Sequence, residues 1–74
     1  MMAIVRNLQP LTLDRESRHT EVECTYSVIH NEEGTFLQVD TYGSSARQEQ
    51  GKKSQSIRFS PEAIQQLKKI LVSL

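Results

Sequence analysis

The tripeptide Ser60-Pro61-Glu62 divides this chain into a part patterned as strand and a part that must be helix. Serine is a strong N-cap because its side-chain oxygen accepts one of the orphan backbone N–H groups of a first helical turn. Proline just after it has φ already set for a helix and lacks an N–H that would go unused there. Glu62 then places a negative charge at the positive end of the helix dipole. Ala63, Ile64, Leu67, Ile70, Leu71 and Leu74 recur at spacings of three and four, which predicts a helix over 60–74 with one apolar stripe. Lys68 and Lys69 sit toward its C-terminal end, where cations are favoured. The stripe is wide for a helix covering a small sheet, so part of it is left over for a second subunit.

Upstream, the period changes to two. Met2 to Leu8, with Ile4 and Val5, reads as a weak first strand, and Pro10 with Asp14-Arg15-Glu16-Ser17 as a loop. From Glu21 to His30 the chain alternates, with Val22, Cys24, Tyr26 and Val28 on one face and Glu21, Glu23, Thr25 and Ser27 on the other. That is the pattern of a strand half-buried against a core. Asn31-Glu32-Glu33-Gly34 turns the chain, with Gly34 able to take positive φ near the end of the turn. A loop so short makes the next strand, Thr35–Tyr42, an antiparallel neighbour. In that strand Leu37 and Val39 are the expected core pair, because both are aliphatic. Phe36, Gln38, Asp40 and Tyr42 then share the opposite face. Gly43 to Lys53 is a long polar hairpin loop, and loops of that length tend to carry function or motion. A fourth strand, Ser54–Phe59, points Ile57 and Phe59 one way and Ser56 and Arg58 the other.

Length sets further limits. A chain of 74 residues has room for one domain, strand-rich over 1–59 and helical over 60–74. Folding so short a chain buries only about 60% of its unfolded surface. Pairing is a common remedy for such small cores. Cys24 is the single cysteine, which forbids an intrachain disulfide and points to a reducing compartment. Met1 to Gln9 lacks the basic start and apolar core of a signal peptide, and no apolar run reaches the ~18 residues of a membrane span. The expectation is a cytoplasmic protein.

Net charge is zero, which argues against a strongly basic binder, yet the charge is unevenly distributed. Residues 1–33 carry Arg6, Arg15 and Arg18 against Asp14, Glu16, Glu21, Glu23, Glu32 and Glu33, a net of −3. Residues 34–74 carry Arg47, Lys52, Lys53, Arg58, Lys68 and Lys69 against Asp40, Glu49 and Glu62, a net of +3. Such asymmetry points to an electrostatic face.

Little here resembles catalysis. His19 and His30 have no partner identifiable from sequence, and Cys24, on the apolar parity of its strand, reads as a small buried thiol. No ligand spacing points to zinc or another metal. Gly51-Lys52-Lys53-Ser54 fails as a phosphate-binding loop, since Ala46 stands where its first glycine belongs and a strand follows instead of a helix. Asp40, opposite Arg58 on neighbouring strands, reads as a structural cross-strand pair. The expectation is a binding module with no cofactor. Single-stranded nucleic acid is held by basic grooves and by aromatic rings that stack on bases, each stack worth about 1–3 kcal/mol. Phe36 and Tyr42, on the face expected to lie away from the helix, would stack, and Gln38 would read a base edge. Arg47, Lys52, Lys53 and Arg58 would meet phosphates.

The segment Phe36-Leu37-Gln38-Val39-Asp40, then Gly51-Lys52-Lys53-Ser54-Gln55-Ser56-Ile57-Arg58-Phe59-Ser60-Pro61-Glu62, then Leu67-Lys68-Lys69-Ile70-Leu71 resembles the positive-cofactor-four family of single-stranded-DNA-binding transcriptional coactivators. The resemblance covers the C-terminal half. It implies an α+β fold in which about four antiparallel strands form a curved sheet followed by one C-terminal helix. It also implies a two-fold homodimer packed through the helices, with the nucleic acid on the outer sheet faces. Lys52, Lys53 and Arg58 match the family's basic positions. The function expected is non-catalytic binding of single-stranded DNA or RNA, in transcription regulation. The alternative is a small dimeric protein-interaction module.

Overall fold

The computed structural model describes residues 2–43 and 53–74. Four strands precede one helix: β1 (Met2–Val5), β2 (Glu23–Asn31), β3 (Gly34–Tyr42), β4 (Lys53–Phe59) and α1 (Pro61–Val72). They form one sheet in the order β1-β4-β3-β2, so the fold is α+β. The β2–β3 and β3–β4 pairs are antiparallel, as consecutive strands in hairpin order should be.

β1 corrects the expectation of an all-antiparallel sheet. It runs parallel to β4, with Met2 opposite Ser56 and Val5 opposite Phe59, so the sheet is mixed. Short loops force antiparallel pairing only between successive strands, and β1 and β4 are not successive. Residues 6–22 give the chain enough length to cross from β1 to the far edge strand β2. The Ser60 N–H extends the β1–β4 register by donating to the Val5 carbonyl at 2.9 Å.

The helix start is the one read from sequence. Ser60 has extended backbone (φ −69°, ψ 167°), and its Oγ accepts from the Ala63 N–H at 3.2 Å. At the other end the Ser73 N–H donates to the carbonyls of Lys69 and Ile70. Gly34 closes the β2–β3 turn with φ +128°, a conformation L side chains rarely adopt. It has a second reason to be glycine: a Cβ there would stand 3.0 Å from Cγ of Pro61. The start of β3 and the start of α1 are thus packed together, and α1 rests chiefly on β3.

That junction is the core, and it inverts the expected choice of strand face. Phe36 is 2% exposed and Ala63 fully buried, with Ser60 buried beside them in the fold, whereas Leu37 and Val39 are only half-buried. Alternation separates the two faces of a strand but does not say which one the helix will cover. Cys24, expected as a buried thiol, is exposed, as are Tyr26 and Val28 on the same side of β2. A β2 on the sheet edge has a neighbour on one side only. The segment after β1 is tied to the helix instead: Gln66 Oε1 accepts from the Leu8 N–H at 2.7 Å, and Gln66 Nε2 donates to Asn7 Oδ1 at 2.8 Å. Among the described residues, no helix is long and apolar enough to cross a membrane.

Candidate nucleic-acid interface

Directly opposed residues in a sheet share a face, so the register assigns every side chain to one of two surfaces. One surface carries Phe36, Gln38, Asp40 and Tyr42 from β3, with Ser56 and Arg58 from β4. It continues onto Met2 and Ile4 of β1, and onto Glu23, Thr25, Ser27 and Ile29 of β2. The other surface carries Leu37, Val39, Ile57 and Phe59 with Tyr26 and Val28.

The first surface holds a polar ladder. Arg58 stands opposite Gln38, not opposite Asp40 as expected, because the β3–β4 register pairs Asp40 with Ser56. Arg58 Nε and Nη2 both donate to Gln38 Oε1, at 3.1 and 2.6 Å. Gln38 Nε2 donates in turn to both carboxylate oxygens of Asp40, at 3.2 and 3.1 Å. The amide has no choice of orientation. A guanidinium only donates and an ionised carboxylate only accepts, so oxygen must face Arg58 and nitrogen Asp40. Asp40 is 3% exposed and Ser56 9%, while Gln38 and Arg58 are half-buried. A buried polar chain of this kind holds its members in place when each is satisfied.

Beside the ladder lies an open hollow of about 300 Å³, lined by Met2, Ala3 and Ile4 of β1 and by Gln38, Ser56 and Arg58. Its walls are apolar on one side and its polar groups converge from the other. The hollow is half open to solvent.

The expected site residues are only partly brought together. Gln38, Tyr42 and Arg58 share this face. Tyr42 is half-buried and its hydroxyl shares a 3.1 Å hydrogen bond with Thr25 Oγ1. Phe36 is on the same face but at 2% exposure it offers no ring surface to a base, which corrects its assignment as a stacking residue. Gln38 is corrected as well: its amide is engaged at both ends, so it orients Arg58 and does not read a base edge. Lys53 pairs through its backbone with Tyr42 at a register shift. Arg47 and Lys52 lie outside the described residues. Met2, Ile4 and the anchoring role of Asp40 were not foreseen. The alternation of Met2 and Ile4 was visible in sequence, but their place beside Arg58 depends on the parallel β1–β4 pairing.

Other reactive groups are dispersed. His19 Nδ1 lies 2.8 Å from the Ser17 carbonyl and His30 Nδ1 3.1 Å from Thr35 Oγ1. Among the described residues, no three His, Cys, Asp or Glu side chains gather as a metal ion would require. Compared with known proteins, the chain matches no family model, no curated protein and no solved structure.

Proposed function

We propose that this chain is a non-catalytic module that binds single-stranded DNA or RNA along the sheet face bearing Gln38, Tyr42, Ser56 and Arg58. The observation that carries the reading is a guanidinium held by a neighbouring amide at 2.6 and 3.1 Å, beside a hollow with apolar walls. A fixed cation next to an apolar surface gives a single strand both a polar contact and a surface for its bases. Tyr42 is the stacking ring in this reading. Arg47, Lys52 and Lys53 are the further cations assigned to phosphates in this reading. The sequence resemblance described above supports single-strand binding and adds a role in transcription regulation, but it places the strand on the sheet face away from the helix. The single Cys24 agrees with a reducing compartment such as the cytoplasm.

The module works as a homodimer. Phe36 and Ala63 are the buried hydrophobic side chains among the described residues, while Ile70 and Leu71 of the last helical turn and Leu74 beyond it are 44, 57 and 91% exposed. Covering that outer stretch with a second copy would enlarge a core that is otherwise small.

The test is fluorescence anisotropy with labelled single-stranded and duplex oligonucleotides at low and near-physiological salt, with sedimentation of the same protein to give its mass. Saturable binding that prefers the single strand and weakens with salt is the expected result. A second reading, a protein-interaction module, is favoured by the uncovered apolar surface around Tyr26 and Val28. Absence of oligonucleotide binding even at low salt would transfer the assignment to it.

A further inference from the structure

A guanidinium has five N–H groups arranged in a plane. In Arg58 the edge formed by Nε and Nη2 is spent on Gln38. The opposite edge, Nη1 with the second hydrogen of Nη2, is a parallel pair of donors, and no partner for it is found among the described residues. Arg58 also lines the hollow, together with Ser56 and with Met2 and Ile4 of the neighbouring strand. A phosphate would gain nothing from the apolar wall. A flat heterocycle would gain on both counts, through ring contact with Met2 and Ile4 and through paired hydrogen bonds to the guanidinium.

From this juxtaposition we infer that the hollow on the sheet face over β1 and β4 is a guanine-selective base slot, read by the free edge of Arg58 and aligned by Gln38. The inference rests on the nucleic-acid reading above and narrows it to one base. Guanine presents two adjacent acceptors, N7 and O6, on the edge away from its glycosidic bond, and a bidentate arginine matches both. Adenine places a donor next to N7, and thymine offers a lone O4 beside a methyl group. Cytosine can pair N3 with O2, but its single ring covers less of the apolar wall than a purine does. Gln38 is a positioning residue here. Its amide, locked between Arg58 and the buried Asp40, keeps the guanidinium plane from rotating.

The experiment uses the wild-type chain and a set of oligothymidine strands that differ at one central position. A single guanine should bind about tenfold tighter than the all-thymine strand, the scale of one good bidentate contact. Inosine, which keeps N7 and O6, should retain the preference, and 7-deazaguanine, which lacks N7, should lose most of it. Arg58→Lys should abolish the preference for guanine over thymine, whatever binding the two strands lose in common, because a point charge serves a phosphate but not a paired edge. Gln38→Ala should lower the ratio of guanine-strand to all-thymine-strand affinity, in which any loss common to both strands cancels; a purely structural role would leave that ratio unchanged. Equal affinity for guanine, 7-deazaguanine, adenine and cytosine strands would overturn the slot and leave nucleic-acid binding intact. Tighter binding of the cytosine strand would overturn it too. Failure of every single strand to bind would remove the slot together with the function it rests on.

Discussion

The two faces of the sheet are built on opposite principles. The face of Leu37, Val39, Ile57 and Phe59 has the more apolar composition, yet these residues are only half-buried, and Tyr26 and Val28 beside them are 76 and 53% exposed. The face of Gln38, Asp40, Ser56 and Arg58 is polar, yet it contains the most buried side chains of the sheet, Phe36 at 2% and Asp40 at 3%. Hydrophobicity along a strand therefore did not choose the core. The choice was made where β3 meets the helix start, at Gly34 and Pro61, and by a ladder that satisfies each of its polar members. One face is apolar and lacks a cover on one chain; the other is polar and stiffened from within.

The strongest way to break this contrast is at Phe36. Phe36→Ala should cost about 3–5 kcal/mol, the scale for emptying a buried aromatic site, and in so small a domain that should largely unfold it. Urea denaturation followed by circular dichroism would measure it, and a loss below 1 kcal/mol would mean that Phe36 is not core. Asp40→Ala comes next. Removing a buried acceptor from the Gln38 amide should cost about 1–3 kcal/mol, read as a lowered urea midpoint. It should also release Gln38, so the guanine preference should fall along with the midpoint; a preference left intact would separate Asp40 from recognition. Tyr26→Ser should be the mildest, within about 0.5 kcal/mol by the same denaturation assay. A large loss there would show that Tyr26 is covered in solution, and sedimentation of the variant would tell whether a second copy covers it.

How much of this was legible in advance differs element by element. The helix boundary was fully legible, because Ser60, Pro61 and Glu62 act through local geometry that needs no distant partner. The β2–β3 hairpin was legible for a similar reason: Asn31 Oδ1 accepts from the Glu33 N–H at 2.8 Å within the turn, and Gly34 takes the positive φ expected of it. The membership of each strand face was legible too, since Phe36, Gln38, Asp40 and Tyr42 must alternate with Leu37, Val39 and Thr41. The partners were not. Arg58 opposite Gln38 instead of Asp40 is a shift in register, and a register is a relation between segments that neither contains alone. The hollow was invisible for the same reason, because Met2 and Ile4 reach Arg58 only through a parallel pairing of strands at opposite ends of the chain.

By itself, then, the sequence determined what depends on near neighbours in the chain: the capped helix, the turn, the period-two strands and the division of each strand into two faces. These follow from backbone sterics and hydrogen bonds spanning a few residues. Only the tertiary structure decided the direction of β1, the burial of Phe36 in place of Leu37 and Val39, and the clamping of Arg58 by Gln38. Each is a competition between long-range pairings, settled by which packing satisfies the buried amide and carboxylate while covering the aromatic ring.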